Sequence, residues 1–177
     1  MFENRLKAVI RDIPNFPQPG IVFKDITPIL KDQDLCKSIV EEFAKRLEGI
    51  EIDIVAGIES RGFLFGLMLA NYLNVPFVPI RKQGKLPYKT IAESYKLEYG
   101  QATIEIHEDA FPAGSKILIH DDLLATGGTV VAAANLVEKL GGIVAGFAFV
   151  ISLDFLNAQG RLDRFSKNMV SLAAYTT

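Results

Sequence analysis

A turn of small residues, ATGGT at positions 125–129, follows an apolar run and leads into an alanine-rich stretch. At the start of a helix such a turn exposes backbone N–H groups, and the helix dipole adds partial positive charge, so that a phosphate is a natural ligand. Gly127 and Gly128 let the backbone approach an anion closely, and Thr126 and Thr129 add hydroxyl donors. The residue types therefore predict a phosphate site at this turn.

Two adjacent carboxylates, Asp121 and Asp122, stand directly before the turn, where they would repel a bare phosphate. The conflict disappears if the ligand carries neutral hydroxyl groups, or a bound cation, close to its phosphate. A ribose 5-phosphate fits, because the carboxylates accept hydrogen bonds from its 2- and 3-hydroxyls while the backbone holds the 5-phosphate. Magnesium bridging to a further phosphate would reduce the remaining repulsion. The alternative is structural: an N-capped helix beside aspartates that only solvate a strand end.

A second turn, GIESRGF at positions 57–63, also follows an apolar run. Arg61 offers a guanidinium that can hold two phosphate oxygens at once, and Ser60 adds a hydroxyl. Gly57 and Gly62 have the spacing of a Walker loop, but the required Lys and Ser or Thr are missing, and no G-x-G-x-x-G follows any predicted strand. The turn is thus a candidate second anion site, and the alternative is that Arg61 is a solvated residue at a helix start.

The segment RKQGKLPYK, positions 81–89, carries four cations and no acid: Arg81, Lys82, Lys85 and Lys89. Glycine and proline within it disfavour a regular element, so we interpret this segment as a mobile lid that could close over a polyanion and exclude water. The alternative is an ordinary solvated loop. Two anion-binding turns and a basic lid in one chain together indicate a doubly phosphorylated sugar.

Helical and strand patterns alternate along the chain and position these segments. The patterns predict helices in the first 13 residues, in KDQDLCKSIVEEFAKRLEG, in SRGFLFGLMLANYLN and from about Gly128 to Leu140, and strands in EIDIVAGI, VPFVPIRK, KILIHD, GIVAGFAFVISL and MVSLAAY. SYKLEYG and ATIEIH alternate like antiparallel strands, and residues 15–30 predict an ordered loop with a short strand near Ile21 to Phe23. The order favours an α/β fold with a mostly parallel sheet flanked by helices, in which ligands bind beyond the carboxyl ends of the strands. The loops Gly57 to Gly62, Lys82 to Ser94 and Asp121 to Gly128 would then meet at one edge.

Composition narrows the functional classes. With 177 residues, 49% of them hydrophobic, and a net charge of −2, the chain is typical of one globular domain without affinity for nucleic acid. Its one cysteine, Cys36, cannot form an internal disulfide. There is neither an apolar run of membrane-spanning length nor a secretory pattern at the amino terminus, so we expect a cytoplasmic protein that does not bind membranes.

Five motifs carry a family resemblance. DDLLATGGT resembles the ribose-phosphate motif of type I phosphoribosyltransferases, and IPNFPQPGIVFKDITPIL, GIESRGFLFG, RKQGKLP and LEYGQATIEIHEDA occur in the order that this family shows. The first and last of these four resemble the members that act on adenine. The resemblance implies the type I fold with an N-terminal base-binding hood at about residues 1–32, a core at about 33–177 and a flexible loop. It also implies that adenine and phosphoribosyl pyrophosphate (PRPP) give AMP and pyrophosphate, with Mg²⁺ as cofactor, in a homodimer.

The same resemblance assigns roles to matching positions. It implies that Asp121 and Asp122 hold the ribose hydroxyls, and that the 5-phosphate lies against Ala125, Thr126, Gly127, Gly128 and Thr129. Pyrophosphate would be bound by Ser60, Arg61, Arg81 and Lys85, in a turn with a cis peptide near Glu59 and Ser60. Phe23 and Leu123 would enclose the purine, Val22 would read its edge, and Lys24 and Tyr99 would complete the site. Catalysis is expected from Glu98, which would handle the proton on purine N7, together with Arg61 and Lys85; Glu98 as a solvated strand residue is the alternative. Magnesium would be carried by PRPP without direct protein ligands, reached by Asp121 and Asp122 only through water.

Two features depart from the family pattern. His120 stands where an aliphatic residue is usual, and we interpret it as a hydrogen-bonded packing histidine. The segment FLNAQGRLDRFSKN resembles the family less than the rest of the chain. Two alternatives stay open: a phosphoribosyltransferase for hypoxanthine, guanine, xanthine or orotate, and a regulatory protein that binds PRPP.

Overall fold

A seven-stranded sheet with helices on both faces forms the centre of the computed structural model, which describes residues 1–97 and 100–177. The helices are α1 Phe2–Val9, α2 Gln33–Arg46, α3 Gly62–Leu73, α4 Gly128–Lys139 and α5 Gln159–Leu162, with 3-10 helices at Thr27–Lys31 and Asp154–Leu156. The strands are β1 Arg11–Pro14, β2 Val22–Asp25, β3 Ile54–Ile58, β4 Phe77–Lys82, β5 Thr90–Lys96, β6 Gln101–His107, β7 Lys116–Leu124, β8 Ile143–Leu153 and β9 Met169–Tyr175.

The sheet has the order β5-β6-β4-β3-β7-β8-β9. Strands β4, β3, β7, β8 and β9 are parallel, whereas β6 pairs antiparallel with both β4 and β5. Because β3 and β7 have apolar side chains on both faces, each face buries a core, one under α4 and the other under α1, α2 and α3. The predicted α/β class with a mostly parallel sheet is confirmed, as is the antiparallel pair.

The amino-terminal region differs from its predicted form. The first helix ends at Val9 instead of running to Pro14, because Arg11–Pro14 forms an antiparallel ribbon with Val22–Asp25. Ile13 pairs with Phe23 in this ribbon. Its spacing from the apolar residues of α1 is that of a helix, but Ile13 lies in a strand. The predicted short strand near Ile21 to Phe23 is shifted by one to two residues.

Two of the predicted loops are shorter than expected. Strand β7 continues to Leu124, so Asp121 and Asp122 lie within the strand and not in the turn that follows it. Strand β5 begins at Thr90, which leaves residues 83–89 as the connection where a loop from Lys82 to Ser94 was expected. Within the two described ranges, no helix combines the length and apolar character needed to cross a membrane.

Candidate functional site

Three connections meet at the carboxyl edge of the sheet, because β3, β4 and β7 are parallel neighbours. They follow β3 at residues 59–61, β4 at residues 83–89 and β7 at residues 125–127. Between them lies a cavity of about 320 Å³, whose walls are Ile58, Glu59, Ser60, Arg61, Lys82, Tyr95, Ile104, Asp121, Asp122, Leu123 and Thr129. The edge predicted to bind ligand is therefore concave and dominated by polar side chains.

The aspartate pair forms part of the wall of this cavity. Asp122 is buried, and its backbone N–H donates to Oδ1 of Asp121 at 2.8 Å. Burial raises the pKa of Asp121 well above its ordinary value, and the negative charge of Asp122 adds to the effect. Helix α3 can begin beside the pair because Gly62 has no side chain: a Cβ there would lie 3.0 Å from Oδ1 of Asp121. The carboxyl groups thus present hydrogen-bond acceptors next to a helix start.

Arg61 links Asp122 to strand β2. Its Nε donates to Oδ2 of Asp122 at 2.5 Å, and its guanidinium carbon lies 5.0 Å from the centroid of the Phe23 ring. Arg61 follows a cis peptide between Glu59 and Ser60, as expected for this turn. One arginine therefore contacts the carboxylate expected to hold ribose and the aromatic ring expected to hold the base.

Glu59 fixes the start of the basic connection. Its carboxylate accepts from Lys82 N–H at 2.8 Å and from Arg81 Nε at 3.3 Å. Burial alone would raise the pKa of Glu59, but the Lys82 hydrogen bond and the Arg81 guanidinium outweigh it and lower that pKa. Arg81 thus lies at this turn, held by Glu59.

The basic connection at residues 83–89 is held by a buried carboxylate. Glu105 on β6 accepts from the N–H groups of Gly84 at 3.1 Å and Leu86 at 3.2 Å, and from the hydroxyl of Thr90 at 3.3 Å. Lys85 is exposed in this segment and does not line the 320 Å³ cavity among the described residues. The lysine that lines it is Lys82. The alternation of β6 marked Glu105 as a strand residue but gave no indication of its partners.

The turn at residues 125–127 has the backbone that its sequence predicted. Gly127 adopts φ +80°, a conformation that other residues rarely adopt, and its carbonyl accepts the first hydrogen bond of α4 from Val131 N–H at 2.9 Å. Among the described residues no side chain caps the start of α4. The first N–H groups of this helix are therefore donors available to an anion.

Tyr95 is a cavity residue that sequence reasoning missed. It lies on β5, which packs against α4, and its phenolic oxygen accepts from the Thr129 hydroxyl at 2.9 Å. In the sequence Tyr95 appears only as one apolar member of an alternating strand. Its place in the site follows from the antiparallel pair folding over the phosphate turn.

A larger and more apolar cavity of about 650 Å³ adjoins the first. Its walls are Asp12, Gly20, Ile21, Val22, Phe23, Lys24, Leu123, Ala125, Thr126, Leu153, Phe155, Leu156 and Thr177. Leu123 lines both cavities, so a ligand with a polar and an aromatic half could occupy them together. Lys24 is paired with Asp12 at 2.7 Å, with its ammonium over the Tyr175 ring. The amine of Lys24 is therefore engaged by Asp12 on β1 and by Tyr175 on β9.

Three predicted residues, Glu98, Tyr99 and His120, do not contribute to the described walls of the two cavities. Glu98 and Tyr99 fall outside the described residues. The interpretation of His120 as hydrogen-bonded is wrong: the side chain is fully buried, and neither ring nitrogen has a partner among the described residues. Its ring instead packs edge-on against Phe43 at 5.4 Å, because β7 places it under α2 and α3.

No group of three or more His, Cys, Asp or Glu side chains in residues 1–97 and 100–177 is placed to hold a metal ion.

Comparison with known proteins gives the family. Residues 26–171 match the model of the phosphoribosyl transferase domain. The chain is 49% identical to the adenine phosphoribosyltransferase of Cytophaga hutchinsonii over 99% of this chain and 97% of that protein.

Solved structures agree with this comparison. The crystal structure of adenine phosphoribosyltransferase from Thermoanaerobacter pseudethanolicus superimposes with a TM-score of 0.94 at 50% identity, covering 97% of this chain and 99% of that one. The enzyme from Saccharomyces cerevisiae, in complex with an imino-altritol bisphosphate and adenine, gives a TM-score of 0.89 at 39% identity, over 97% and 98% of the two chains. The chain therefore belongs to the adenine phosphoribosyltransferase family of type I phosphoribosyltransferases.

Proposed function

We propose that the chain transfers the phosphoribosyl group of PRPP to adenine, giving AMP and pyrophosphate, at the joined cavities on the carboxyl edge of the sheet. One observation carries the proposal: the Asp121–Asp122 pair lies between two strand-to-helix turns, and Leu123 connects that polar cavity to an apolar one. Such a site offers separate places for two phosphate groups, a sugar and a flat base. The S. cerevisiae relative, whose structure contains adenine and a sugar bisphosphate mimic, supports the same division.

The ribose 5-phosphate half would occupy β7 and the turn after it. Asp121 and Asp122 accept hydrogen bonds from the ribose hydroxyls, which carry no charge to oppose the carboxylates. The 5-phosphate would lie at the start of α4, against residues 125–129, where free N–H groups and the helix dipole favour an anion. Acceptors thus face the neutral hydroxyl end of the sugar phosphate, and donors face its negatively charged phosphate end.

The pyrophosphate half would occupy the turn at Ser60 and the basic connection that carries Lys85. Arg61 now pairs with Asp122, so the binding of the ribose hydroxyls to Asp122 would release its guanidinium to the pyrophosphate. Arg81 would add charge from the other side while Glu59 keeps it in place. Developing negative charge on the leaving pyrophosphate is then met by fixed cations, which is electrostatic catalysis.

The base would lie between Phe23 and Leu123 in the apolar cavity, with the backbone of Val22 at its edge and with Lys24 and Tyr99 completing the site. Stacking on an aromatic ring contributes about 1–3 kcal/mol per base. Arg61 now lies over the Phe23 ring, so its move to the pyrophosphate would also open that ring to adenine. Sugar and base binding would thus be connected through one side chain.

The reaction forms the bond from adenine nitrogen to C1 of the ribose while the bond from C1 to pyrophosphate breaks, through an oxocarbenium-like transition state. We assign Glu98 to accept a hydrogen bond from the proton on purine N7, an interaction that strengthens as positive charge develops on the attacking base, and then to take up that proton, which leaves the neutral base of AMP. Magnesium carried by PRPP would offset the charge of the pyrophosphate. The residues present fit such a cation, since Asp121 and Asp122 supply the hard oxygen atoms that Mg²⁺ prefers, through water.

The assay that tests this function measures nucleotide formation from PRPP and magnesium with adenine, hypoxanthine or guanine as acceptor. We expect AMP and pyrophosphate from adenine and far slower turnover with the other two bases. Similar turnover of all three would exclude adenine specificity, and no turnover of any would exclude the reaction.

We also propose a homodimer formed through α3. This helix is apolar on all sides, yet it exposes Leu64, Leu67, Met68 and Tyr72 on one face. The side chain of Leu67 is 56% exposed, so Leu67→Glu should shift the mass measured by light scattering towards the monomer. Ile143→Glu, at a position 52% exposed on β8, is the matched control and should leave the mass unchanged. A dimeric Leu67→Glu protein would exclude this face.

The proposed setting is the cytoplasm, since the one cysteine, Cys36, is buried and unpaired, as is usual for proteins of reducing compartments.

A further inference from the structure

Arg161, on the short helix α5, approaches the phosphate turn from the side of β8. Its Nη1 donates to the main-chain oxygen of Thr126 at 2.7 Å. Arg161 lies in the segment FLNAQGRLDRFSKN, for which the sequence patterns predict no role. The contact joins that segment to the turn proposed to hold the 5-phosphate.

The hydrogen bond fixes the orientation of one peptide group. The bond between Thr126 and Gly127 is trans, and in a planar trans peptide the C=O and N–H point in opposite directions. Because the Thr126 oxygen is directed at Arg161, the Gly127 N–H is directed away from α5. If this peptide rotated by half a turn, a carbonyl oxygen would replace that donor and would repel a phosphate.

The turn itself does not enforce the favourable orientation. Type I and type II turns differ mainly in the direction of their central peptide, and glycine at the third position permits either form. Gly127 has φ +80° and ψ 1°, the values of the third residue of a type II turn. A contact from outside the turn is therefore needed to select one orientation.

The residue directly before α5, Ala158, lies close to the same turn. Ala158 is buried, and a Cβ placed on Gly127 would lie 3.2 Å from its Cβ. Leu162 is buried in the core under α4, which holds α5 against the sheet. The guanidinium of Arg161 thus extends from a packed element and not from a free surface loop.

We propose that Arg161 is a positioning residue for the 5-phosphate: it holds the Thr126–Gly127 peptide so that its N–H, and not its C=O, is presented to the phosphate. The inference rests on the proposed function for the identity of the phosphate ligand. Arg161 itself need not touch the substrate.

The test compares Arg161→Met with Arg161→Lys and with Arg164→Met. Methionine keeps the alkyl stem without donors, and lysine restores a cationic donor. Arg164 is the matched control: it is also exposed, its loss changes the net charge equally, and it donates to Asn135 Oδ1 at 2.7 Å instead of to the turn. Affinities for ribose 5-phosphate and for pyrophosphate are measured by calorimetry, and kcat and KM are measured with PRPP and adenine.

We expect Arg161→Met to weaken ribose 5-phosphate binding, and to raise the KM for PRPP, by about three- to tenfold, the effect of losing one partly exposed hydrogen bond. We expect changes of less than about twofold in pyrophosphate affinity, in the KM for adenine and in kcat. The lost interaction holds the 5-phosphate equally strongly in the substrate complex and in the transition state, so its loss does not slow the chemical step. Arg161→Lys should recover most of the loss, and Arg164→Met should resemble the wild type.

Unchanged ribose 5-phosphate affinity in Arg161→Met, or an equal loss of affinity for ribose 5-phosphate and pyrophosphate, would overturn the proposal. A wild-type protein that does not bind ribose 5-phosphate would overturn it as well. Since this binding is measured without adenine, a wild type that binds ribose 5-phosphate but leaves adenine unconverted refutes the proposed function alone. Melting temperatures of all variants show whether a loss of affinity accompanies a loss of folding.

Discussion

Replacing His120 with leucine should make the protein more stable, and increasingly so as the pH falls. His120 is fully buried on β7, and neither of its ring nitrogens has a hydrogen-bond partner within the described part of the chain. A buried polar group without a partner costs about 1–3 kcal/mol, whereas the edge-on contact with Phe43 contributes about 0.5–1.5 kcal/mol. Leucine has a similar volume and no polar atoms, so we expect His120→Leu to raise the free energy of unfolding by about 1 kcal/mol at pH 7.

The pH dependence gives a sharper test. Burial lowers the pKa of His120 to about 4 from its ordinary value of 6.5. The nearby charge of Asp122, and a polar approach of the Ala148 backbone too distorted to count as a hydrogen bond, only partly oppose this shift. Because the folded-state pKa is the lower one, the unfolded chain takes up the proton first, and stability falls as the pH drops from 6.5 towards 4. The full difference corresponds to about 3 kcal/mol, present above pH 6.5 and lost near pH 4.

The assay is urea unfolding of the wild type and His120→Leu at pH 7, at an intermediate pH and close to pH 4. Other titrating groups, including Asp121, contribute to both proteins and largely cancel in the difference. We expect the advantage of the leucine variant to widen by about 3 kcal/mol over this range. His107→Leu controls for the loss of one histidine at a residue that is only partly buried, although its Nε2 also has no partner among the described residues. A gap between wild type and His120→Leu that stays constant across the range, or that narrows in acid, would refute the assignment of a buried neutral imidazole.

Three further predictions concern the site. Glu98→Gln should lower kcat by about 10- to 100-fold with less effect on either KM, because its proposed interaction grows in the transition state; unchanged kcat in steady-state assays would remove Glu98 from the mechanism. Gly62→Ala should lower the free energy of unfolding by about 1–3 kcal/mol, since its Cβ would lie 3.0 Å from Asp121 Oδ1. Gly160→Ala is the control, because its added methyl group would have no atom within 4 Å, and it should change the free energy of unfolding by no more than about 0.5 kcal/mol. Equal effects of the two substitutions in urea unfolding would contradict the packing argument. Glu105→Gln should raise the KM for PRPP about two- to tenfold by loosening residues 83–89, and a KM equal to that of the wild type would show that this carboxylate does not organise the connection.

Several features could be predicted from local sequence because local physics determines them. The turn at Gly127 needs a left-handed backbone and small residues, and the antiparallel pair β5–β6 follows from two-residue alternation. Periodicity was less reliable at the amino terminus, where apolar spacing typical of a helix belongs to a strand. The helix there ends at Val9, before the apolar pattern does, because Ile13 pairs with Phe23, a partner that the local sequence does not specify.

By itself, then, the sequence determined the class of fold and the glycine-containing turn that follows the two aspartates, because each depends on patterns among residues that are close together in the chain. The tertiary structure decided which side chains meet at that turn. Arg61 and Asp122 are 61 residues apart, Tyr95 and Thr129 are 34 apart, and Arg161 reaches the turn across 35 residues. These contacts depend on the order of strands in the sheet and on the helices packed against it, so no periodicity within a single segment could reveal them.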